Sequence, residues 1–210
     1  HLYRRRQRQM CIRDRIYQDY KVLPYSWAAS TPLSNFEANM DYRDVEDPSI
    51  YFTLDARDNY KKIIKGDKFL VWTTTPWCIP GNLAIAVGKE IEYSRISIKN
   101  NFYWIATDRL FEMKDHEIEI VDVSYGKDLI GASYIPAYNE YEHLFKEGAF
   151  RIIHSDDTNT ESGSGLVSQA PAYGESDFYA LKNANIDVIA DPVTLSGPFD
   201  STFKELNGLN

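Results

Sequence analysis

An apolar strand that runs into three threonines and a proline limits what this chain can build. Lys68-Phe69-Leu70-Val71-Trp72-Thr73 is a β-branched and aromatic run, and Thr74-Thr75-Pro76-Trp77-Cys78-Ile79-Pro80-Gly81-Asn82 follows it. Proline cannot donate to a ladder and keeps the residue before it extended, so the strand must end by Thr75. Alternation puts Thr73 and Thr75 on one face and Thr74 on the other. Hydroxyls at a strand end can line a pocket mouth, although threonine is also a good strand former in its own right. A second punctuated run comes about ninety residues later: Gly163-Ser164-Gly165-Leu166-Val167-Ser168-Gln169-Ala170-Pro171, then Gly174-Glu175-Ser176-Asp177. It reads as a glycine turn whose N–H groups face a loop or ligand, a short strand, a proline turn and a helix start. The helix start carries a carboxylate, Asp177, which the dipole and free N–H groups should keep ionised.

Between these runs the pattern is mainly short strands. They are predicted over 50–54, 68–73, 83–87, 92–98, 102–105, 117–123 and 150–154, with a hairpin turn at Lys99-Asn100-Asn101. Leu83-Ala84-Ile85-Ala86-Val87 is apolar throughout, as a strand buried on both faces would be. Helices are fewer and shorter: 108–113, 140–147 and 174–183. Residues 155–162 form a polar loop. This spacing indicates an α+β domain built on a β-barrel or strongly curved sheet, with short peripheral helices.

The chain's 29 aromatic residues among 210 supply enough apolar area for a core without disulfides. Cys11 and Cys78 make no framework, and their scarcity fits a reducing compartment. His116, His143 and His154 stand apart from one another and from both cysteines, so no metal site is predicted. No run of 18 apolar residues occurs, so no transmembrane helix is predicted. Cys78 sits between Trp77 and Ile79 with no histidine nearby, which reads as a packing thiol rather than a nucleophile.

Charge is uneven. Residues 1–15 hold six arginines and one acid, leaving residues 16–210 with a net charge of −13 out of the total −8. The basic start fits a nucleic-acid arm, a targeting peptide or foreign sequence ahead of a truncated frame; the abrupt change at Ile16 favours the last. We therefore set 1–15 aside as a non-native or disordered basic segment and treat 16–210 as the domain. Such an acidic body does not grip nucleic acid well by itself.

The two punctuated runs together resemble the editing domain of isoleucyl-tRNA synthetases, a class I aminoacyl-tRNA synthetase family. That family carries Thr-Thr-Thr-Pro-Trp-Thr-Leu-Pro-x-Asn, then Gly-Thr-Gly-x-Val-His-x-Ala-Pro and Gly-x-x-Asp; Thr31-Pro32-Leu33-Ser34-Asn35-Phe36-Glu37 also resembles the isoleucyl branch. The resemblance covers about residues 20–205 and implies a β-barrel with peripheral helices. It implies hydrolysis of valine wrongly esterified to isoleucine tRNA, a case the size limits of binding make necessary. Thr74, Thr75 and Asp177 take the catalytic positions, with Asp177 holding the α-ammonium. Thr73, Trp77, Asn82 and Ser168 join Asp177 as substrate-binding positions, although Asn82 could equally brace its turn. Partners implied are the tRNA acceptor end and the remainder of a synthetase, in the cytoplasm. No cofactor is implied for this domain: ATP and magnesium belong to the aminoacylation domain, whose His-Ile-Gly-His and Lys-Met-Ser-Lys-Ser sequences are missing here.

Two positions depart from the family. Ser168 stands where histidine is usual, and Cys78 where threonine is usual. An impaired or non-catalytic editing-fold module, or a valyl- or leucyl-type editing domain, are the alternatives.

Overall fold

The computed structural model describes residues 20–40 and 43–209. The basic segment 1–15 and the boundary at 16 lie outside these residues.

A small hairpin, β1 (Tyr25–Ser26) with β2 (Thr31–Pro32), and helix α1 (Asn35–Ala38) come first. Ser34 caps α1 in a reciprocal capping box with Glu37. The main sheet contains β3 (Ile50–Asp55), β4 (Lys68–Thr73), β5 (Ala84–Val87), β6 (Glu92–Ile98), β7 (Asn101–Ala106), β8 (Glu119–Tyr125), β9 (Arg151–His154) and β10 (Val167–Gln169). The strand order is β8-β6-β7-β4-β10-β5-β9, with β3 on the other edge of β4, and a single-turn helix α2 (Gly126–Leu129) follows β8.

The sheet curls on itself. Residues 131–135 bridge its two edges: Ala56 pairs with Tyr134, and Ser133 with Arg151 at the start of β9. The Ile135 N–H donates to the Asp55 carbonyl at 2.8 Å, and the Ile152 N–H to that of Ala132 at 2.9 Å. The core fills the curl with Leu54, Phe69, Val71, Ile85, Tyr134 and Phe150, all essentially inaccessible to solvent. The expected curved α+β architecture is what the chain adopts.

Local rules explain most elements. β4 buries alternate residues Phe69, Val71 and Thr73. β5 is buried at all four positions, as its uninterrupted apolar run requires. Lys99 and Asn100 turn the β6–β7 hairpin with φ of +49° and +65°, the two-residue turn whose twist suits a hairpin. The expected helices at 108–113 and 140–147 are instead tight 3-10 turns, Thr107–Met113 and Glu142–Glu147. Neither has a side-chain cap, and runs this short gain little from α-helical hydrogen bonding.

One polar cluster is sealed inside. The Arg95 guanidinium donates two hydrogen bonds to the Asp67 carboxylate, at 2.8 and 2.7 Å, and the Trp104 indole N–H donates a third at 3.1 Å. This ties the β6–β7 hairpin to the turn before β4.

Candidate active site

Strands β4 and β10 are parallel neighbours, with Val167 beside Trp72. Both chains therefore leave the sheet at the same edge. β5, antiparallel to β10, begins there. The threonine run leads from β4 across that edge to β5, and the Ala170–Gly174 turn leads from β10 to helix α3 (Glu175–Asn183). Inserting β10 between β4 and β5 is what brings together two runs distant in sequence.

A cavity of about 270 Å³ opens between them, lined by Thr73, Thr74, Thr75, Trp77, Cys78, Ser168 and Asp177 among others. That is just below the volumes usual for drug-sized ligands, roughly 300–1,000 Å³, so it suits a small head group.

The strand stops at Thr73, and the Thr73 and Thr75 hydroxyls lie together. Thr73 is buried, and its Oγ1 accepts the Thr75 N–H at 3.1 Å and lies 3.3 Å from the Thr75 hydroxyl. Thr74 and Thr75 are exposed, and all three border the cavity. Pro76 then opens a 3-10 turn over Pro76–Gly81. Trp77 is half exposed on this turn, its ring edge-on to Tyr173 at 4.9 Å between centroids.

The glycine turn packs closely against the sheet. Ser164 is fully buried, and its carbonyl accepts the Ala106 N–H at 2.9 Å. Gly163 has φ +68°, and a β-carbon there would lie 2.5 Å from the Trp72 ring. The turn thus seats Trp72, one wall of the cavity.

Asp177 faces the cavity from the first turn of α3. The Ala170 N–H donates to its Oδ2 at 2.8 Å, and the Ser176 hydroxyl to its Oδ1 at 3.4 Å. Burial nevertheless outweighs these bonds and raises the carboxyl above its ordinary range. The helix-start argument omits this desolvation of a cavity wall, which opposes the dipole and the hydrogen bonds. Burial also pushes the Cys78 thiol up to about 11, against a hydrogen bond with Thr75, so it holds little thiolate at neutral pH.

Asn82 does not line the cavity. It is buried behind the wall, where its Nδ2 donates to the Ala84 carbonyl and the Ser168 hydroxyl, both at 2.9 Å, and its Oδ1 accepts the Tyr134 hydroxyl at 2.6 Å. Ser168 does line the cavity. Tyr173 shares the lining, but its hydroxyl donates to Asp191 at 3.0 Å and accepts the Val193 N–H at 3.3 Å. The sequence reading missed Tyr134 as a support of the site, and no local signal marks it. No cluster of metal-binding side chains occurs among the described residues.

No family model matches the chain. It is 40% identical over 205 residues to the isoleucine–tRNA ligase of Bdellovibrio bacteriovorus, covering 92% of this chain and 18% of that protein. A probable cytoplasmic isoleucine–tRNA ligase of Dictyostelium discoideum is 41% identical over 209 residues, covering 94% and 19%. The chain belongs to the isoleucine–tRNA ligase family. It spans about a fifth of the length of these ligases. The crystal structure of GlLeuRS-CP1 shares the fold. That structure has a TM-score of 0.52 at 15% identity, covering 65% of this chain and 60% of its own. Among the described residues of this ligase segment, no helix is long and apolar enough to cross a membrane.

Proposed function

We propose that this domain hydrolyses valine from wrongly charged isoleucine tRNA, within a cytoplasmic isoleucine–tRNA ligase whose remainder grips the tRNA. The observation that carries this reading is the shared cavity: three threonines from one loop face an acid from another, around a space sized for a small head group. Asp177 takes the α-ammonium of the amino acid. A cation at that carboxylate offsets the burial that raises its pKa, so the pair forms where each partner gains most. Thr74 and Thr75 offer exposed hydroxyls that position the attacking water and the ester, and Trp77 closes the outer side. Thr73 holds Thr75 in place through its own hydroxyl. Asn82 acts from behind the wall.

No side chain lining the cavity is a strong base at neutral pH, so the rate gain comes from orientation and fixed dipoles. The domain itself uses no cofactor; ATP and magnesium serve the ligase's aminoacylation domain. Residues 16–210 carry −13, so tRNA affinity comes from the rest of the ligase. The test is Asp177→Ala. It should abolish hydrolysis of valyl-tRNA while the far-ultraviolet circular dichroism spectrum stays unchanged; hydrolysis at the parent rate would refute the assignment.

A further inference from the structure

The Ser168 hydroxyl is held from behind in one hydrogen-bonding sense. Asn82 lies within 2.9 Å of both the Ala84 carbonyl and Ser168 Oγ through its Nδ2. A carbonyl oxygen only accepts, so the amide nitrogen must face it and the amide cannot turn over. Tyr134 reinforces this by donating to Asn82 Oδ1 at 2.6 Å. Complete burial raises the Tyr134 phenol and keeps it a donor. The remaining Asn82 hydrogen therefore goes to Ser168, which must accept it.

A serine hydroxyl has one hydrogen to give. With Asn82 occupying its acceptor side, and no acceptor for its hydrogen among the described residues, that hydrogen is left for the cavity Ser168 lines. Ala170 comes two residues after Ser168, just past the end of β10, at most about 7 Å along the chain at ~3.3 Å per residue. The Ala170 N–H anchors Asp177. A group with a cation and an acceptor oxygen a few atoms apart spans that interval, and an α-aminoacyl ester is such a group.

We propose that Ser168 is a substrate-positioning donor, its O–H aimed by the Tyr134–Asn82 pair at the carbonyl oxygen of the aminoacyl ester. The inference rests on the editing reading above. Tyr134 and Asn82 are positioning residues that act through Ser168.

The test compares two non-hydrolysable ligands on the 210-residue chain: valyl-adenosine linked by an amide, and its thioamide counterpart, whose sulfur is a much weaker acceptor. Ser168→Ala should weaken amide binding about fivefold to tenfold, the usual size of one uncharged hydrogen bond, and thioamide binding by less than about twofold. Ser168→Thr, which keeps the hydroxyl, should restore the difference. Asn82→Asp should reproduce the loss with Ser168 intact, because a carboxylate accepts the Ser168 hydrogen and turns it away from the cavity. If that variant fails to fold, the Ser168 pair decides alone. Equal weakening of both ligands, no weakening, or no rescue by threonine would overturn the inference and leave the editing reading standing. Failure of the parent chain to bind either ligand would overturn both.

Discussion

The Asp177 carboxylate folds back over Gly174, so closely that a β-carbon on Gly174 would lie 2.8 Å from Asp177 Cγ and 2.9 Å from its Oδ2. Gly174 has φ −117°, which any residue can adopt, so space rather than backbone freedom requires glycine here. Gly174→Ala should push the carboxylate off the Ala170 N–H and out of line with a bound ammonium. We expect a 10- to 100-fold fall in kcat/KM for deacylation, in keeping with a displacement of about 1 Å at a reacting group. The melting temperature should move little. Steady-state kinetics and a thermal melt check this, and unchanged kinetics would show that the carboxylate's exact seat is unimportant.

Asp177 also links function to stability. Burial raises its folded pKa above the ordinary 3.8. The stability this group contributes is therefore fully present below that ordinary value and is lost as pH rises through the folded pKa. At neutral pH the ionised acid burdens the fold. Asp177→Asn keeps an oxygen to accept the Ala170 N–H, so its melting temperature at pH 7 should equal or exceed that of the parent. The advantage should vanish in acid, while deacylation is lost at every pH. A lower melting temperature at pH 7 that persists in acid would contradict this.

Cys78 supplies a third expectation. With its thiol raised to about 11, alkylation at pH 8 should run at least about 100-fold slower than for an exposed cysteine. Cys78→Ser should retain deacylation within about threefold. Mass spectrometry of the Cys78 peptide separates it from Cys11. Rapid alkylation, or loss of activity in the serine variant, would make the thiol a participant.

Much of this was legible in the sequence where the signal is local. The β6–β7 hairpin, doubly buried β5 and helix α3 each follow from turn residues or hydrophobic period within a dozen positions. Past the end of helix α3, Asn185 takes the left-handed conformation at φ +57°. The site was legible as two runs, through their resemblance to a family, but not as a cavity. Their meeting depends on β10 entering between β4 and β5, a pairing across more than eighty residues that no local pattern encodes. The supports are hidden for the same reason: Asn82 and Tyr134 are 52 residues apart, and Arg95 and Asp67 are 28 apart. The burial that raises the Asp177 carboxyl is hidden too, because burial is a property of the assembled wall.

The most direct test of the account is the rate of deacylation of valyl- and isoleucyl-charged isoleucine tRNA, measured side by side at protein concentrations high enough to offset weak tRNA binding. The account predicts hydrolysis of the valyl ester at least about tenfold faster than the isoleucyl ester, the discrimination one methylene can supply in a fitted pocket. Equal rates on both esters, or no hydrolysis of either by this chain within its full-length ligase, would contradict it.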